Sequence, residues 1–85
     1  MVEVGQVVFS KCGRDKTRAF IIVSVENEYV FLADGDLRKL IKPKKKKIKH
    51  IQITNNVTSV KFDKDSDVRK ILSVYNSKRE VNNLG

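Results

Sequence analysis

The stretch AFIIVSVENEYVFLA, residues 19–33, decides the fold. Its first half, Ala19 to Val25, is apolar on both alternating faces, the pattern of a central strand. Asn27 marks a tight turn, and Tyr29 to Ala33 reads as the returning strand of a hairpin. Asp34 and Gly35 then supply a dipeptide that tolerates positive φ, so the chain is expected to turn a second time.

On the N-terminal side, Gln6 to Ser10 reads as a further strand, since β-branched and aromatic residues gather there behind Gly5. Lys11 to Arg18 follows with four basic residues, one acid and no helical periodicity, which predicts an exposed connection turning sharply at Gly13. On the C-terminal side, Leu40 and Ile41 form a short apolar step expected to anchor a basic segment to the sheet. Pro43 disfavours helix or central strand there. Alternation resumes in Lys49-His50-Ile51-Gln52-Ile53, with Ile51 and Ile53 on one face, so pairing is expected to restart near Ile48. Val57 to Val60 reads as a last short strand. Asp65 or Ser66 then caps a helix whose Val68, Ile71, Leu72 and Tyr75 fall on one apolar stripe. The sum is a mainly β fold, a small barrel of about five strands with a C-terminal α-helix. Residues 1–62 form the barrel with a basic loop at 38–49, residues 63–79 the helix packed on it, and residues 80–85 a frayed tail.

Charge is the second signal. The formal net charge is +8, and eight of the twelve residues from Arg38 to Lys49 are basic with no acid among them, so the rest of the chain cancels to zero. A surface made for solubility would mix both signs. A one-sign segment instead attracts a polyanion. The two basic segments, Lys11 to Arg18 and Arg38 to Lys49, are separated by one hairpin and are expected to converge on one rim. There they would offer an RNA backbone two sets of cationic donors, through Lys11, Gly13, Arg14, Lys16 and Arg18 from the first, and Arg38, Lys39, Lys42, Lys44, Lys45, Lys46, Lys47 and Lys49 from the second. Phe9, Phe20, Tyr29, Phe31 and Tyr75 lie inside apolar runs and are assigned to the core, with Tyr29 at the hairpin end the readiest exception, which favours recognition of backbone and shape over base stacking.

Other chemistry finds little support. Cys12 is the single cysteine and His50 the single histidine, so neither has the matched partner that a metal site or a nucleophile–base pair needs. Asp63, Asp65 and Asp67 lack the glycine and distal glutamate of a calcium loop and read better as helix initiation. No cofactor is expected, and the chain is read as no enzyme. The N-terminal residues show no basic start followed by a long apolar run, so neither signal peptide nor membrane span is expected and the cytoplasm is the expected location.

The run VEVGQVVFSKCGRDK (residues 2–16), with Ile21 to Val25 and Phe31 to Gly35, resembles a KOW motif. With Lys49 to Gln52 and the C-terminal helical segment, the similarity extends over about residues 2–76 to the archaeal and eukaryotic large-subunit ribosomal protein of the fourteen-e type. This resemblance implies an SH3-like barrel that binds ribosomal RNA, working in translation as part of a ribonucleoprotein and neighbouring other ribosomal proteins. It places Gly13, Arg14, Asp15 and Lys16 against the RNA with Arg18 beside them. Thr17 stands where that family's loop commonly carries a second glycine, and its branched Cβ resists conformations that glycine permits. The leading expectation is a non-catalytic RNA-binding module, monomeric when free. The competing one is an SH3-like protein-interaction barrel that docks an acidic partner, which would show Tyr29, Phe31 and Tyr75 exposed in one patch.

Overall fold

In a computed structural model that describes residues 2–11, 13 and 18–84, with side chains to residue 75, the apolar runs become strands where their periodicity places them. They are β1 (Gln6–Ser10), β2 (Ala19–Glu26), β3 (Tyr29–Ala33), β4 (Lys44–Lys47) and β5 (Ile51–Val57), followed by the helix α1 (Asp65–Leu84). The strands form one antiparallel sheet in the order β4-β3-β2-β1-β5. Both hairpin turns use the predicted residues: Asn27 takes φ 56° and Gly35 φ 77°.

Alternation along β1 and β2 divides the core in two. Val8, Phe20, Ile22, Val30, Leu32 and Ile51 pack on one face, and Val7, Ala19 and Ile21 meet Val68 and Leu72 of α1 on the other. The first cluster draws all its buried members from strands, so the sheet covers that face by curling over itself. Bulges help it bend, with register shifts between Ile22 and Ser24 on β2 and between Gln6 and Val8 on the β1–β5 ladder. At the second shift the buried Gln6 donates through Nε2 to the Thr54 carbonyl at 2.8 Å, and Thr54 Oγ1 donates to the Val7 carbonyl at 2.6 Å. The sheet does not close. β4 and β5 are its two edges and no ladder joins them, so a curled open sheet stands where a barrel was expected.

Several local readings are corrected. The segment 38–49 is not one loop, because residues 44–47 pair with β3 along their whole length, Lys44 opposite Leu32 and Lys47 opposite Tyr29. Pairing with a well-formed neighbour overrides lysine's weak preference for strands, and an edge position leaves Pro43 harmless. Residues 48–50 form a 3-10 turn, and β5 begins only at Ile51. Ile51 is buried while Ile53 is exposed, and Val57 ends β5 instead of starting another strand. The cap of α1 is one residue early: the Lys64 carbonyl accepts from Val68, and the Asp67 carboxylate accepts the backbone N–H groups of Asp63 and Lys64, each at 3.1 Å. That helix continues beyond residue 79 to Leu84.

Candidate nucleic-acid interface

The first basic segment leaves the sheet at the end of β1 and returns at β2, closed by a hydrogen bond from the Ser10 N–H to the Arg18 carbonyl at 3.3 Å. Arg14 and Lys16, with Cys12, Asp15 and Thr17, lie outside the described residues. Lys11 and Gly13 are exposed, and Gly13 takes the left-handed φ of 81° expected at the sharp point. One flank of the segment meets the end of the second basic segment. The Lys11 N–H donates to the His50 carbonyl at 2.9 Å, and Lys46 Nζ donates to Ser10 Oγ at 2.8 Å. The Lys11 bond carries the β1–β5 pairing one residue further, while the Lys46 side chain alone reaches across the side that no strand ladder closes, and together they bring Lys11 and Lys46 to one end of the sheet.

The other flank is held by acid. Arg18 Nε donates to Asp34 Oδ2, and Arg18 Nη2 donates to Asp36 Oδ2 at 3.2 Å. Asp34 is buried, with its side chain 2% exposed, and its other oxygen accepts the N–H groups of Asp36 and Arg38 at 2.9 and 2.8 Å. Arg18 therefore fastens the first segment to the start of the second. The turn that follows is braced from the helix: Leu40 N–H donates to Asp65 Oδ1 at 2.8 Å, and Arg69 Nη1 to the Gly35 carbonyl at 2.6 Å. Of the expected anchor pair, Leu40 packs against the helix-side cluster, but Ile41 is 93% exposed. Adjacent residues in a turn point apart, so one of the two had to face water. Lys39 and Lys42 are exposed along this turn, and Lys49 on the 3-10 turn.

Strand geometry sends the β4 lysines to opposite faces. Lys44 and Lys46 share the face of Leu32 and Val30, whereas Lys45 and Lys47 share that of Phe31 and Tyr29. Tyr29 and Phe31 belong to neither buried cluster, which corrects the assignment of Phe31 to the core and makes Tyr29 the exception expected at the hairpin end. They lie on the helix-facing side of the sheet but on β3, and α1 packs over β2. Both rings are half-exposed, with the Lys45 ammonium 4.5 Å from the centroid of Tyr29 and 5.9 Å from that of Phe31. Lys45 also pairs with Glu26 at 3.8 Å. Tyr75 lies elsewhere, edge-on to Phe9 at 6.4 Å. The double-sided apolar pattern of β3 concealed this outward stripe, since nothing local says how far the helix reaches.

Among the described residues, no group of three or more His, Cys, Asp or Glu is placed to hold a metal ion, and no helix is long and apolar enough to cross a membrane. No protein-family model matches the chain, and no curated protein matches it.

Proposed function

We propose that this protein is a non-catalytic RNA-binding module that takes ribosomal RNA as a ribosomal or ribosome-associated protein of the cytoplasm. The observation that carries this reading is the acid-free run from Arg38 to Lys49, combined with the way nearby acids are used. Asp34 and Asp36 are turned towards Arg18, and Asp65 towards the Leu40 N–H, so these carboxylates are held on the fold's own groups and none lies within the run itself. The likeness to KOW proteins supports the same reading through Gly13 and the residues around it. Crosslinking of RNA to the protein in its native cell, followed by sequencing, is the test: enrichment of ribosomal RNA is expected, and recovery of no RNA would reject the proposal.

A second reading has one observation in its favour. Tyr29 and Phe31 are half-exposed beside Lys45, as a groove for an acidic partner in transcription or translation would need. Tyr75 is absent from that patch, which leaves the aromatic surface small.

A further inference from the structure

We infer that the braced turn between Leu37 and Lys44 is a receiving site for one unpaired nucleotide of the RNA, an inference that rests on the RNA-binding reading and names what it recognises. A shallow depression here is lined by three apolar side chains, Leu37, Ile41 and Pro43, and by four cations, Arg38, Lys39, Lys42 and Lys44. No acid lines it. Leu37 is 64% and Ile41 93% exposed, although the backbone that carries them is fixed. The Arg38 carbonyl accepts from the N–H groups of Asp34 and Gly35, the Lys42 N–H donates to the Lys39 carbonyl, and Asp65 and Arg69 hold the turn from the helix. Large apolar side chains presented to water on a fixed turn are preorganised for a partner.

The lining specifies that partner's chemistry. Cations of one sign call for an anion, and the aliphatic groups among them call for an apolar face next to the charge. A nucleotide offers both, a phosphate and a flat base, but in a paired stem the base faces are stacked away. Only an unpaired or bulged nucleotide can present its face here. A lipid surface would meet the cations too. It fits less well, because the depression has no aromatic ring and the adjoining β4 lysines alternate between two faces, so the charges do not share the plane of a bilayer.

The experiment compares the full chain with a Leu37→Ala/Ile41→Ala variant on two RNA hairpins, one fully paired and one with a single-nucleotide bulge, across a salt series. Both side chains are exposed, so the variant is expected to fold, which a thermal melt checks. The unmodified protein is expected to bind the bulged hairpin on the order of tenfold more tightly, the scale of covering roughly 50 Å² of apolar surface when a base face lies on two aliphatic side chains. The variant is expected to bind both hairpins alike, with its salt dependence unchanged. If the unmodified protein binds both equally, or the variant keeps the preference, the nucleotide site is refuted while RNA binding stands. If neither hairpin binds in dilute buffer, RNA binding itself fails and the site with it. Anionic phosphatidylglycerol vesicles form a further arm: binding to vesicles that the variant loses, with RNA binding unaltered, would assign the depression to lipid and overturn the inference.

Discussion

Arg18 shows how one residue type can serve two purposes that composition cannot separate. It counts among the cations expected to face RNA, yet its guanidinium is committed to Asp34 and Asp36. Substituting it leaves the buried Asp34 carboxylate with only its backbone donors. Arg18→Gln is therefore expected to lower stability by about 1–3 kcal/mol in urea unfolding. Lys39→Gln, on an exposed residue, should leave the midpoint unchanged; equal midpoints for both variants would show that the Arg18 link adds nothing to the fold. Gly35 is a second such position. Its φ is 77°, and an added Cβ would come 2.3 Å from the Asp65 carbonyl oxygen and 3.1 Å from the Arg69 nitrogen. These are backbone atoms of α1 and cannot swing aside, so Gly35→Ala combines a disfavoured conformation with a clash that pushes the helix from the turn. A loss of roughly 2–3 kcal/mol is expected by the same urea measurement. An unchanged midpoint would mean that the helix and the turn do not press on one another.

β4 carries the main lesson about elements. As a string, Pro-Lys-Lys-Lys-Lys reads as a solvated loop, and only its pairing with β3 makes it a strand. The surrounding elements were legible because their residues carry their own conformational preferences: branched and aromatic side chains in β1, β2 and β3, and the stripe through Val68, Leu72 and Tyr75 in α1. The lysines carry none, since their conformation is imposed by a neighbour far enough along the chain to be invisible locally. The same limit hid the exposure of Phe31, whose surroundings depend on where the helix ends up, whereas Tyr29 at the hairpin end could be singled out. Of the expected meeting of the two basic segments, the described residues show the flank at Ser10 and Lys11, where the Lys46 to Ser10 bond joins residues whose sequence gives no sign of pairing. A lysine edge also has a physical consequence, because charges and a preceding proline keep an unpaired strand from adding to another sheet. Lys45→Val/Lys47→Val would turn this edge apolar beside Tyr29 and Phe31. Concentration-dependent self-association is expected in size-exclusion chromatography with light scattering, whereas a variant that stays monomeric would show that the lysines are not needed to guard the edge. At the helix, Asp67→Ala removes the acceptor for two N–H groups and should cost about 1 kcal/mol in urea unfolding; no change would mean that water replaces the cap without loss.

For the whole molecule, the decisive quantity is how its charge is divided between holding the fold and meeting a ligand. The count of basic residues overstates how many side chains are turned towards a ligand, since Arg18 is tied to two aspartates and Lys46 reaches across to Ser10. The cations best placed to neutralise phosphate outside the fold are those of the exposed turn, Lys39 and Lys42, and the outward pair on β4, Lys47 and Lys45, whose long, exposed contact with Glu26 at 3.8 Å is weak enough to exchange for phosphate. If about five phosphates are neutralised, affinity should fall several hundred-fold between about 50 and 200 mM salt, taking the duplex coefficient as a guide. The β4 alternation refines this into a comparison that a flexible lysine loop would not generate. Lys45→Gln/Lys47→Gln, on the face of Tyr29 and Phe31, should weaken binding and flatten the logarithmic salt slope by about 2, one unit for each phosphate that is no longer neutralised. Lys44→Gln/Lys46→Gln, on the other face, should alter the slope less while lowering the urea midpoint, because it removes the Lys46 bond that spans the open side of the sheet. Salt titrations of the two double variants on one RNA decide the matter. Identical slopes would mean that the four lysines act as an undifferentiated cloud of charge, and that the strand's two faces have no separate roles in binding.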